Sequence, residues 1–415
     1  MNQIIATYRS AFSGLPAGAW AFSFVLLVHR SGTMVLPFLS LHLKDHLGLT
    51  SGGAAQLLSV YGVGSICGAI LGGRAVSKFG ALKVMIASLL GAAPFFVALL
   101  YAQTAITAAV VIFLLAAVGD AVRPAAMTAT ASLCSGEKLG RAFALNRLAV
   151  NLGMSIGPAM AGLMYVNYFA AIFYIDAITC VTAAALVWWI FGAARMASEL
   201  VDSDAAQHET PNSGFWRDVV LVSVLVQFCL VMIIFMQSIG SYPIYLRERY
   251  GLTEATIGLV FTINTGLIVL FEMVLIAWLD RFRKLPVIGI GCVLIALGFG
   301  ILPLGSGLGF VCLAVVIYTL GEMLSMPLLT TWGSQRAPAH KRGQYMGAVT
   351  AAFSMSWVIA PVLGGALYRW SPDAVWYLAL ALAPVVAAGF AAVIRFERLS
   401  SSRPATTLER ETVGT

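Results

Sequence analysis

Twelve runs of predominantly apolar residues, separated by short charged segments, follow one another through almost the whole chain. About 20 helical residues cross the hydrocarbon core of a bilayer. Inside that core only helices and closed barrels satisfy their own backbone polar groups. The pattern predicts an all-α membrane protein with spans at 17–42, 54–73, 82–102, 105–133, 142–165, 168–193, 218–245, 254–278, 285–305, 307–335, 343–368 and 372–396. Only 10% of the residues are charged, against about 25% in soluble domains. Such a chain has no polar surface to offer water.

The hydrophilic segment 196–216 separates six spans from six. It predicts an N-terminal half over 1–195, a linker over 196–216 formed as a loop or short surface helix, a C-terminal half over 217–396 and a tail over 397–415. The halves repeat one plan. Pro124 and Pro158 lie 34 residues apart, as do Pro327 and Pro361, and the two pairs are offset by 203 positions. Each pair brackets a short basic turn, and a mid-span acid, Asp120 or Glu322, precedes the first proline. Repeats of this kind fix the architecture as two pseudo-symmetric six-helix halves.

Three motifs carry a resemblance. Gly153-x-x-x-Gly157-Pro158-x-x-x-Gly162 resembles the fifth-helix motif of the antiporter branch of the major facilitator superfamily. The loop Gly73-Arg74-Ala75-Val76-Ser77-Lys78-Phe79-Gly80 resembles the superfamily's loop between spans two and three, with Ser77 in place of the usual acid and Lys78 in place of the usual arginine. Asp280-Arg281-Phe282 resembles its second-half counterpart and keeps the acid. The resemblance implies a major facilitator fold of twelve spans and a drug:proton antiporter. It implies a hinge at Gly153, Gly157, Pro158 and Gly162, and cytoplasmic gate loops at Gly73, Lys78, Gly80, Asp280 and Arg281.

Basic residues set the orientation, because cytoplasmic loops are enriched in Lys and Arg. With both termini in the cytoplasm, 18 of the 25 basic residues fall on that side and four, Lys44, Arg247, Arg249 and Arg369, on the other. The expected location is a bacterial cytoplasmic membrane. The net charge of +7 is spread over short loops rather than gathered on one face, so nucleic acid is excluded as a partner. The expected partners are a small-molecule substrate, protons and the lipid bilayer, and the chain is expected to be a monomer. No phosphate-binding loop and no His/Cys cluster with metal-ligand spacing occurs, so no enzyme, metal site or cofactor is expected. The six cysteines are scattered and read as small core residues.

The chemistry must lie in charges inside the spans, which are costly there and mark polar cavities or pairs. Asp120 and Arg123 share a helix face, and the Arg holds the acid ionised. Glu322 has no basic residue in its own span, so it is the expected main proton-coupling group and Asp120 the secondary one. Arg30 either pairs with Asp120 or, like Arg123, contacts substrate. Arg147 is expected to snorkel to the headgroups. Asp176 and Glu272, nearer span ends than middles, are both expected to be structural, with a cytoplasmic latch formed with Asp280 and the basic turn 281–284 as the alternative for Glu272. Tyr61, Gln227, Met236, Gln237, Tyr242, Asn264 and Trp357 are the candidate pocket lining. The reading is a proton-coupled exporter of a small amphipathic compound, with a proton-coupled importer of a polar metabolite and a non-transporting membrane sensor or scaffold as alternatives.

Overall fold

A computed structural model describes residues 12–134, 137–202, 215–279, 281–338 and 342–401. Every regular element among the described residues is helical. Eleven helical segments among the described residues are long and apolar enough to cross a bilayer. The twelfth expected span is present as the helix Glu137–Met164. Its apolarity is diluted by Glu137, Lys138, Arg141, Arg147 and Asn151. It packs against the first and eighth spans rather than facing lipid all round, which is how a transmembrane helix tolerates such residues. In chain order the spans are Ala17–Leu47, Ser51–Phe79, Ala81–Leu100, Ala105–Leu133, Glu137–Met164, Phe169–Gly192, Val219–Ser238, Glu254–Leu279, Lys284–Leu304, Gly307–Arg336, Gln344–Trp370 and Ala374–Leu399. They are called spans one to twelve below.

Among the described residues four spans expected as continuous are interrupted, at 32–34, 58, 120–121 and 239–240, so that the seventh ends before the expected 245. The breaks in spans one and four bear on the site. Span one consists of helices Ala17–Ser31 and Val35–Leu47. The second helix begins with unpaired backbone donors, and Asp176 of span six satisfies them. Its carboxylate accepts the Met34 and Val35 N–H groups, each at 3.0 Å. Asp176 is therefore a capping group supplied from a neighbouring helix. Span four breaks between Ala105–Gly119 and Val122–Leu133. Pro124 lacks an N–H, and its ring crowds the carbonyl four residues back, which belongs to Asp120. The break thus falls at the acid itself. Span ten stays continuous through Glu322 and Pro327.

Span six ends at Gly192, whose φ of 63° interrupts the helix, and the chain continues helically to Asp202. Residues 203–214, the middle of the expected linker, lie outside the described residues. The helix of span twelve extends to Ser401, past the boundary at 396 that the sequence predicts.

The halves meet through spans two and eleven and through spans five and eight. At one end they are tied by a symmetric ionic lock. Lys44 pairs with Glu248, and Arg247 pairs with both oxygens of Asp45 at 2.6 Å. Tyr165 donates to Asp45 at 3.1 Å, and Tyr368 donates to Glu248 at 2.7 Å. Lys44 and Arg247, Asp45 and Glu248, and Tyr165 and Tyr368 are all 203 positions apart. The lock is what a two-fold relation between the halves requires, since each contact recurs with the partners exchanged.

Glu248 lies beyond span seven, in the helix Ser241–Tyr250. Burial pushes its carboxyl up, but Lys44, Tyr368 and Ser51 hold it below the ordinary glutamate value. Its contribution to the closed end is therefore present above the ordinary pKa and is lost as pH falls through the lowered one. Partly exposed pairs are worth about 1 kcal/mol or less each, so the lock is built to open. Arg247→Ala removes the bonds to Asp45 and Glu254 and is expected to open this end more often. A Met236→Cys probe in the central cavity should then react several-fold faster with a reagent applied from the locked end. An unchanged labelling rate would contradict the role of the lock.

Candidate functional site

Behind the lock lies a cavity of about 250 Å³ between the halves. Arg30, Tyr61, Arg123 and Pro158 line it from the first half, and Met236, Asn264, Tyr318, Glu322 and Trp357 from the second. A smaller cavity of about 70 Å³ adjoins it inside the first half, where Arg30, Tyr61, Asp120, Arg123 and Asp176 meet. A third, of about 350 Å³, lies between spans five, eight and ten and shares Asn151 and Ile268 with the central one. It includes Gly140, towards the end of the molecule opposite the lock.

The two mid-span acids occupy matching but unequal settings. Asp120 is 6% exposed and Glu322 8%. The Arg123 Nε lies 3.4 Å from Asp120 Oδ1, an ion pair by distance rather than a directed hydrogen bond. The Tyr61 hydroxyl donates to the same oxygen at 3.5 Å. Glu322 instead accepts a 3.1 Å hydrogen bond from the Asn264 amide, which also donates to Thr319 at 2.9 Å. Tyr61 and Asn264 are 203 positions apart, so each half presents one neutral donor to its acid. Only the first half adds a cation. None of the ion pairs among the described residues includes Glu322.

Arg30 does not reach Asp120. It faces both cavities and takes part in none of the ion pairs among the described residues. Arg123 leans on Trp357 across the half interface, 6.0 Å from the ring centroid, and the Tyr61 and Trp357 rings lie 5.7 Å apart.

The glycine motif of span five seats the broken span one. A Cβ at Gly153 would lie 2.7 Å from the Arg30 Cβ, and one at Gly157 would lie 2.7 Å from the Thr33 carbonyl oxygen. Gly162 is pressed against the Glu254 carbonyl of the other half, and Gly258 against the Pro158 carbonyl. The motif therefore fixes where Arg30 stands as well as how closely the halves approach.

Arg147 does not snorkel. It pairs across the halves with Glu272 of span eight, its Nε 2.8 Å from Oε1 and donating to Oε2 at 3.1 Å. A carboxylate 5% exposed on the facing helix outcompetes the headgroups, and Glu272 stands in an inter-half ion pair rather than in the alternative latch. Three of the candidate pocket residues stand away from the cavity. Gln237 is buried and donates to the Ala360 carbonyl at 2.6 Å. Gln227 donates to the Ser223 carbonyl at 3.1 Å. Tyr242 is enclosed by Phe261, Phe299 and Trp376. A polar residue on an apolar helix reads alike from sequence whether it faces a cavity or a neighbouring backbone.

Of the expected gate loops, Lys78 stacks on Phe79, and Arg281 stacks on Trp278 and Phe282. Gly80 closes the span-two helix at φ 87°, whereas a Cβ at Gly73 would meet nothing within 4 Å. Asp280 lies outside the described residues. The lock residues Lys44, Asp45, Arg247 and Glu248 were missed as a site. Their signal was present as two adjacent opposite charges recurring at the repeat offset.

The Major Facilitator Superfamily model matches residues 21–352 and 224–414. The chain is 23% identical over 371 residues to a Na(+), Li(+), K(+)/H(+) antiporter of Planococcus maritimus, covering 81% of this chain and 85% of the relative. It is 25% identical over 350 residues to the multidrug resistance protein MdtH of Aeromonas hydrophila, covering 83% and 86%. The fold superposes with a TM-score of 0.77 on a POT family transporter crystallised with 5-aminolevulinic acid, at 16% identity over 94% of this chain and 97% of that one.

Proposed function

The chain belongs to the major facilitator superfamily, and from that premise we propose that it exports a small amphipathic compound in exchange for protons by alternating access. It is a multi-pass membrane protein, and members of this superfamily are transporters rather than enzymes. Glu322 is the proposed proton carrier. The observation that supports this is its place on the wall of the central cavity with an amide as partner, while Asp120 and Glu272 each have an arginine. A carboxyl freed of a fixed cation gains and loses its proton as water reaches it. Asp120 is the proposed secondary group. The antiporter name of one relative supports exchange over uptake.

The proposed orientation puts both termini and the 196–216 segment in the cytoplasm of a bacterial inner membrane. The halves 1–195 and 217–396 then rock about the Gly153–Gly162 stretch, and the lock closes the outer side. A cysteine at position 205 is expected to react with an impermeant reagent in inverted vesicles and not in intact cells. Reaction from outside would overturn this topology. The function itself is tested in proteoliposomes by screening labelled amphipathic compounds with and without an imposed pH gradient. Accumulation driven by the gradient is the expected result. Uptake that ignores the gradient, or no flux of any compound, would refute it.

A further inference from the structure

The charges of the central cavity are divided unevenly between the halves. Its first-half wall carries Arg30 and Arg123, and its second-half wall carries Glu322. A mid-span acid recurs in each half, Glu322 falling one residue short of the 203 offset from Asp120, but the cations do not recur. The positions 203 residues after Arg30 and Arg123 are Ile233 and Met326. The two guanidinium groups are thus additions to the repeated scaffold.

The first-half acids do not account for both cations. Asp120 is shared between Arg123 and Tyr61, and Asp176 is engaged by the Met34 and Val35 N–H groups. Arg30 keeps a guanidinium directed at cavity space. A cation held at mid-membrane without a carboxylate in contact is costly, and the planar fork of Arg is suited to carboxylate, sulfonate and phosphonate groups.

Most of the rest of the wall is aliphatic or aromatic. Tyr61 and Trp357 lie beside Arg123, and Phe235, Phe261 and Phe353 belong to the apolar side. The indole N–H of Trp357 is buried without an acceptor, which adds a donor that a ligand oxygen can use.

We propose that the central cavity binds a small organic anion. Its acidic head is held by Arg30 and Arg123, and its aromatic or apolar body lies against Tyr61, Trp357 and Phe353. The proposal rests on the transporter reading only in taking this cavity as the ligand site, and it needs no proton coupling.

The test is equilibrium binding to the purified full chain in nanodiscs without a pH gradient. The probes are 1-naphthalenesulfonate and 1-naphthylmethylammonium, which share a ring system and differ in charge. The sulfonate is expected to bind about tenfold or more tightly than the ammonium ion. Arg30→Gln is expected to weaken sulfonate binding by about tenfold or more, the range of a lost charge-assisted hydrogen bond. Arg30→Lys, which keeps the charge and loses the fork, is expected to fall between. Equal or tighter ammonium binding, or sulfonate affinity unchanged in a folded Arg30→Gln protein, would overturn the proposal. If Arg30→Gln does not fold, the comparison of probes on the unmodified chain still decides. Arg30-dependent sulfonate binding without gradient-driven flux would remove the proton-exchange reading and leave this one standing. Proton-driven flux of cations with no sulfonate binding would do the reverse.

Discussion

In Glu322→Gln, gradient-driven accumulation of the transported compound is expected to fall to the level of passive equilibration. One pH unit across the membrane supplies about 1.4 kcal/mol per proton, a tenfold concentration ratio. A carrier without its proton site forfeits that factor entirely. Glutamine keeps the size of the protonated acid, and Asn264 with Thr319 remains able to hold it. Downhill exchange and substrate binding should therefore persist. Asp120→Asn should behave differently. Arg123 is 35% exposed to the cavity and would lose its only charged partner in the site, costing part of the about 3–5 kcal/mol of a broken buried pair. Loss of melting temperature and of binding is the expected outcome there. Paired flux measurements with and without a pH gradient separate the two. Full accumulation by Glu322→Gln would refute its role and pass it to Asp120, since Asp176 is occupied in capping span one.

The spans were legible because apolarity over about 20 residues is a one-dimensional signal. The halves were legible because the prolines recur at a fixed offset. The break at Asp120 was not legible from Pro124 alone, since Pro158 and Pro327 lie inside unbroken helices. Nor was the break in span one, because it depends on a carboxylate delivered from span six. The pairing of Arg147 with Glu272 was hidden for the same reason: it joins helices that neither adjacency nor the repeat brings together. Gln227, Gln237 and Tyr242 were placed in the pocket on polarity alone, and polarity does not say which face of a helix meets a cavity. The lock was visible in retrospect. Lys44-Asp45 and Arg247-Glu248 are complementary dipeptides at the repeat offset, and a two-fold relation between the halves pairs such dipeptides reciprocally.

Gly157→Leu is expected to lower transport at least tenfold while insertion into the membrane is retained. The new Cβ would stand 2.7 Å from the Thr33 carbonyl oxygen and 3.2 Å from that of Ser31. Both are backbone atoms beside the break in span one, so no rotamer change relieves the clash. Overpacking of this kind typically costs about 1–3 kcal/mol, and the remaining leucine carbons add to it. The strain falls where span five holds Arg30 and Thr33, and where span one must shift if the halves are to rock. A barrier raised by about 1.4 kcal/mol is already a tenfold loss in rate. Gly157→Ala should show the same effect in smaller measure. Gly73→Ala provides the contrast, since its Cβ meets nothing within 4 Å and alanine is the better helix former by up to about 1 kcal/mol. Its stability should be unchanged or slightly raised. The measurements are melting temperature in detergent and initial flux per inserted protein. Gly157→Leu flux equal to that of the unmodified chain would show that span one does not bear on span five during transport.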